Sequence, residues 1–170
     1  MTRFIALCAL GSLVALAGCS KPDPDKRLAG LWKTEASIEK LEVTGAPEGA
    51  ESQLEAMKST MRTQMVSQFA RQECLTEEMA SSEDISQGFL QGVASRGDCN
   101  FPTKNVGGGK IELAGTCDMG PNKMAIGMNG TTSPEKVDLT LTMKGGAGPG
   151  GIQLDLVAKM VGTRIGDCAS

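Results

Sequence analysis

The sequence predicts an α+β domain: a curled antiparallel sheet of about six strands, arranged as a meander, packed against one long amphipathic helix, with a second short helix. Three observations predict it. Between Trp32 and Ile38, and again from Cys99 to Met160, apolar and polar residues alternate with period two. Between them, Leu54, Met57, Met61, Met65 and Phe69 recur every three or four residues. The breaks between strands are short and rich in glycine and proline, which suits hairpins rather than parallel crossovers.

The first strand alternates Trp32, Thr34, Ala36 and Ile38 with Lys33, Glu35 and Ser37, leaving one face wet. Leu41 and Val43 resume the apolar side in the opposite phase, which predicts a bulge near Glu39 and Lys40. Gly45 to Gly49, with Pro47, end that strand. A helix is expected over about residues 50–71, with Glu48, Glu51 and Glu55 near its start and Arg62 and Arg71 later, matching the helix dipole. Thr76 before Glu77 and Glu78 has the chemistry of a helix cap. The shorter helix follows Ser82, where Ile85, Phe89 and Val93 have helical spacing, weakened by Gly88 and Gly92.

The later strands follow from Cys99 onward. Ile111, Leu113 and Cys117 share one face, as do Met124, Ile126 and Met128. Val137, Leu139, Leu141 and Met143 form the clearest strand, and Ile152, Leu154, Leu156, Ala158 and Met160 the last, running toward Ile165. Turns are expected at Gly107–Gly109, Asp118–Asn122, Gly130–Glu135 and Gly145–Gly151. The two glycine-rich turns are not phosphate loops. They lack the Gly-Lys-Ser/Thr ending and lead into strands, not helices.

The start of the chain reads differently. Arg3 precedes an apolar run from Phe4 to Leu16 that ends in Leu16-Ala17-Gly18-Cys19. This is the pattern of a bacterial lipoprotein signal, with small residues before a cysteine that takes a diacylglycerol on its sulfur. Each buried CH₂ adds about 0.8 kcal/mol, so two or three acyl chains anchor a protein durably. Residues 1–18 are then a removed signal peptide, 19–27 the lipidated cysteine and a tether, and 28–170 a single β-rich periplasmic domain. The tether, with Pro22 and Pro24, would lift the domain roughly 25 Å from the bilayer if extended. By resemblance to other lipoproteins, Ser20 after the cysteine implies the outer membrane, with the domain facing the periplasm. Cleavage removes Arg3 from the 17 basic residues and none of the 20 acidic ones, taking net charge from −3 to −4. A mildly acidic chain without a basic cluster argues against nucleic acid as a partner.

Composition also narrows the chemistry. The chain has no histidine, which removes serine triads, histidine bases and most zinc sites. It has no tyrosine, one tryptophan and four phenylalanines, which disfavours sites that stack sugars or bases. No spacing pairs two carboxylates for hydrolysis. No catalytic residue, cofactor or metal ligand is assigned, and a non-enzymatic role is expected.

Four cysteines remain in the mature domain beside Cys19: Cys74, Cys99, Cys117 and Cys168. In an oxidising periplasm they read as two disulfides. A four-cysteine metal site is the rival, but paired CxxC spacing is missing. Of three pairings, strand geometry favours one. A hairpin centred on Gly108 sets Cys99 opposite Cys117, within cross-strand reach, and leaves Cys74 with Cys168.

Methionine is the one enriched residue type with its own chemistry. Met57, Met61 and Met65 stack along one helical face, and Met124 and Met128 line a strand. Thioethers bind Cu(I). The same positions lie in core phases, where methionine serves as adaptable packing. The leading expectation is therefore a membrane-anchored binding or structural module for an apolar ligand or envelope protein. A methionine-based Cu(I)-binding protein is the alternative.

Three motifs add a resemblance. Gly30-Leu31-Trp32-Lys33-Thr34, Cys74-Leu75-Thr76-Glu77-Glu78 and Arg164-Ile165-Gly166-Asp167-Cys168 resemble a bacterial periplasmic family filed as a domain of unknown function, many members of which carry a lipobox. The resemblance implies a small secreted domain and brings no activity, cofactor or catalytic residue.

Overall fold

The computed structural model describes residues 22–94, 97–120, 122–146 and 151–169. Residues 1–21, which hold the expected signal segment with Arg3 and Cys8, the expected lipidation site Cys19 and Ser20 after it, lie outside the described residues. The order is β1 (Gly30–Thr44), α1 (Glu51–Phe69), β2 (Arg71–Leu75), α2 (Glu77–Ser82), α3 (Ile85–Ala94), β3 (Asp98–Gly107), β4 (Lys110–Met119), β5 (Asn122–Thr132), β6 (Lys136–Gly146) and β7 (Gln153–Gly166).

The expected six-strand sheet under one long helix is not what forms. The chain builds a seven-stranded sheet in the order β2-β1-β7-β6-β5-β4-β3. Its pairings are antiparallel. The added strand is β2, whose sequence Arg71-Gln72-Glu73-Cys74-Leu75 has no apolar alternation and buries only Leu75. Edge pairing with Gly30–Thr34 of β1 makes it a strand. The helices also differ from expectation. There are three among the described residues, and α1 has no buried residue. Its polar positions outweigh a narrow apolar stripe, so it lies on the surface of the sheet as a loose cover rather than as half of a two-layer core.

The sheet does curl. Asp25 holds the β3–β4 turn, while Arg27 pairs with Glu73 of β2. β2 and β4 are five places apart in the sheet, about 24 Å if it were flat. Two backbone residues reach only about 7 Å, so the two regions must approach each other in space. The concave face holds the core: Trp32, Leu113, Met128, Leu156 and Cys117 are almost fully buried there. The other face is polar, with Lys40 on Asp155 at 2.8 Å and Lys159 on Asp138 at 3.5 Å. The phase change in β1 is a register shift between Ile38 and Lys40, at the predicted bulge.

Candidate functional site

The cysteines define two fixed points. Cys99 is bonded to Cys117, and Cys74 to Cys168. The Cys99–Cys117 register arises differently from the symmetric hairpin expected. The turn has two residues, Gly108 and Gly109, at φ +62° and +76°. Those left-handed values are the ones a tight type I′ hairpin needs. This moves the hairpin centre by half a residue from Gly108. A bulge between Asn100 and Thr103, at Phe101-Pro102, then moves the register back. Proline lacks an N–H and is tolerated on this edge strand. Gly115 lies beneath the bulge, and a Cβ there would come within 2.3 Å of the Asn100 carbonyl. With all four cysteines bonded in pairs, the four-thiolate metal site does not exist in this fold. Among the described residues, no group of three or more His, Cys, Asp or Glu is placed to hold a metal ion.

Two regions carry features beyond packing. The first is the cover made by α1. Leu54, Met61 and Met65 are half-buried against a cluster that contains Leu41, Cys117, Met124 and Leu156. Met57, in the same stripe, is 39% exposed. α1 also lacks a side-chain N-cap, since Ala50 precedes it. Met124 and Met128 lie in the sheet core at 5% and 1% exposure. The methionines therefore split between a buried sheet set and a loosely held helix set. Phe89 and Phe101 close the neighbouring edge, their rings in edge contact at 6.3 Å.

The second region is a strap formed by Asp25 to Leu28, the first three residues of which were expected in the tether. Asp25 accepts hydrogen bonds from the Gly108 and Gly109 amides at 3.0 and 2.6 Å. The Lys26 ammonium donates to the Ser81 carbonyl at 2.5 Å. Arg27 makes a two-pronged bond to Glu83, a further bond to Glu73 at 3.0 Å, and lies 4.8 Å over the Trp32 ring. Burial alone would lower the pKa of Arg27, but the bonds and charges of Glu83 and Glu73 outweigh it and hold the group above its ordinary value. The Leu28 carbonyl accepts from the Trp32 indole at 2.9 Å, and its amide donates to Pro134. Sequence reasoning missed these residues because a proline-flanked charged run has the composition of a solvated linker.

The strap roofs a cavity of about 180 Å³ with walls that include Ile85, Ser86, Val106, Ile111 and Thr132. Ser86 is buried and donates to Asp84 at 2.6 Å. The Thr132 hydroxyl is buried and has no hydrogen-bond partner among the described residues. The carboxylates of Asp138 and Glu112 are taken up at the surface, by Lys159 and by the Asn105 side-chain amide.

A family profile described as "Protein of unknown function (DUF3617)" matches residues 22–168, so it includes the strap as well as the sheet. No curated protein and no solved structure matches the chain.

Proposed function

Because the chain belongs to this DUF3617 family of unknown function, we propose that it is a lipid-anchored cell-envelope protein that works without catalysis. It holds an apolar ligand, or the apolar surface of an envelope partner, between α1 and the sheet. The observation that carries this reading is α1 itself, a 19-residue helix with no buried residue lying over an apolar cluster. A helix held by half-buried methionines can lift at little cost, and thioether side chains re-pack around varied apolar surfaces. The lipobox ending at Cys19 supports the anchor, and the paired cysteines suit an oxidising compartment. The absence of histidine from the chain supports a non-enzymatic role.

The test is a titration of the mature protein with a fluorescent long-chain fatty acid. Saturable binding is expected, weakened about tenfold, or about 1.4 kcal/mol, by Met61→Gln with Met65→Gln. Absence of binding, together with native mass spectra that show no retained lipid or partner after gentle extraction, would sink the reading.

A further inference from the structure

The strap reveals which end of the molecule faces its membrane. We infer that the end carrying the strap, the β3–β4 turn and α2 rests on the bilayer through exposed apolar side chains. This inference rests on the lipid-anchor reading. Residues 20–24 alone separate Cys19 from Asp25, and Asp25 is fixed on the Gly108 and Gly109 amides. At about 3.4 Å per residue this connection spans roughly 20 Å at most. β3 and β4 are ten residues each and run about 30 Å away from that turn. The Cys99–Cys117 end therefore points away from the anchor.

Surface chemistry agrees with the reach of the chain. Among the described residues, the exposed large apolar side chains are Leu28, Met57, Met79, Val106 and Ile165. Four of them share the strap end. Leu28 is in the strap, and Val106 borders the β3–β4 turn. Ile165 precedes Gly166, which pairs with Leu31 at the start of β1. Met79 is in α2, whose Ser81 carbonyl accepts from Lys26. Only Met57 lies elsewhere, toward the start of α1. Exposed apolar groups gathered at one end mark an interaction surface, and a bilayer held within reach is the occupant that fits. Charges of both signs are mixed there, with Lys104 acting on Asp84 and Lys26 lining one cavity with Glu83, so the contact is apolar rather than ionic.

The experiment uses the mature protein reconstituted through its own acyl chains into nanodiscs that contain a paramagnetic headgroup lipid. Methyl signals of Leu28, Met79, Val106 and Ile165 should broaden strongly, and those of Met57 and Ile152 should not. Equal broadening of both sets, or broadening confined to Met57 and Ile152, overturns the inference. Mass spectrometry of the same sample separates the two readings. Protein without acyl chains on Cys19 sinks the anchor and this inference together. Acylated protein whose strap end stays sharp sinks the inference alone. Val106→Ser with Ile165→Ser changes two exposed side chains and should reduce the broadening at Met79. Unchanged broadening there would show that these residues do not make the contact.

Discussion

The strap and α1 invert the usual relation between regular structure and attachment. α1 has helical periodicity and 19 residues, yet none of them is buried. Asp25 to Leu28 have no regular structure, yet each binds a different element of the domain. Periodicity reports which residues share a face. Attachment depends on whether partners wait opposite that face. The strap's charges meet two turn amides, a helix carbonyl and two carboxylates, so a short segment joins both edges of the curled sheet.

The strongest way to break this contrast is at β2, which follows α1 along the chain and holds the strap through Glu73. Cys74–Cys168 closes a separation of 94 residues, and chain entropy gives nearly 5 kcal/mol for such a loop. Cys74→Ala with Cys168→Ala should lower stability by about that amount and loosen Glu73, hence the strap. Removing Cys99 and Cys117, separated by 18, should cost about 3 kcal/mol. Denaturant unfolding of the two variants checks the order, and a larger loss from the shorter loop would contradict it.

Within the strap, Arg27 should dominate. Arg27→Ala leaves Glu83 and Glu73 facing each other without their cation and uncovers Trp32, and the expected loss is about 3 kcal/mol. Arg27→Lys should rescue little, because one ammonium cannot reproduce a planar fork on Glu83. Full rescue by lysine would mean that only charge matters. Asp25→Ala should cost less, about 1.5 kcal/mol for charge-assisted bonds near the surface. Its specific sign is faster hydrogen exchange at the Gly108 and Gly109 amides, and unchanged exchange would remove the strap's hold on the turn.

How much of this was legible in the residues depends on what signals each contact. The alternation of Val137–Met143 and Leu154–Met160 located two central strands, and the phase slip after Ile38 located the β1 bulge. Cys99 could be set against Cys117 because the half-residue shift of the Gly108-Gly109 turn and the bulge at Phe101-Pro102 cancel. Neither of those deviations was visible in advance. β2 was missed because a strand stabilised by edge pairing and a disulfide needs no apolar alternation. The strap was missed because its bonds go to residues far along the chain, Glu73, Glu83 and Gly109, which composition cannot connect. α1 was placed correctly along the chain and misjudged in depth, since a stripe of methionines marks a face without saying how closely it is pressed.

That misjudged depth can be measured. Replacing Met57, Met61 and Met65 by leucine should change stability by well under about 1.5 kcal/mol. Alanine at the half-buried Met61 or Met65 should cost about 1 kcal/mol, below the 2 to 5 kcal/mol of a fully buried site. Losses in the higher range would mean that α1 is pressed into the core and is no loose cover. The triple-leucine variant also tests the copper alternative. A tight Cu(I) site in the parent that vanishes with leucine would make the stripe a metal site instead of packing.

The smallest effect separates the helices by their caps. Asp84 precedes the first residue of α3, and its carboxylate accepts from the Gln87 amide at 2.9 Å and from the Ser86 hydroxyl at 2.6 Å. α1 has no such cap. The Ser86 hydroxyl, then the Gln87 amide, hold Asp84 below the ordinary carboxylate value of 3.8, with help from Lys104. A carboxylate whose folded pKa is depressed adds stability above its unfolded pKa, and that stability is lost as pH falls through the folded pKa. Asparagine caps a helix about as well as aspartate, so Asp84→Asn should cost only about 0.3 kcal/mol at pH 7. As pH drops below the ordinary carboxylate range, the parent should lose this advantage while the variant does not. Thermal unfolding of both proteins at neutral and strongly acid pH should show the difference closing. A difference that stays constant with pH would mean that Asp84 caps α3 through shape alone, and the charged cap would no longer distinguish the strap end from α1.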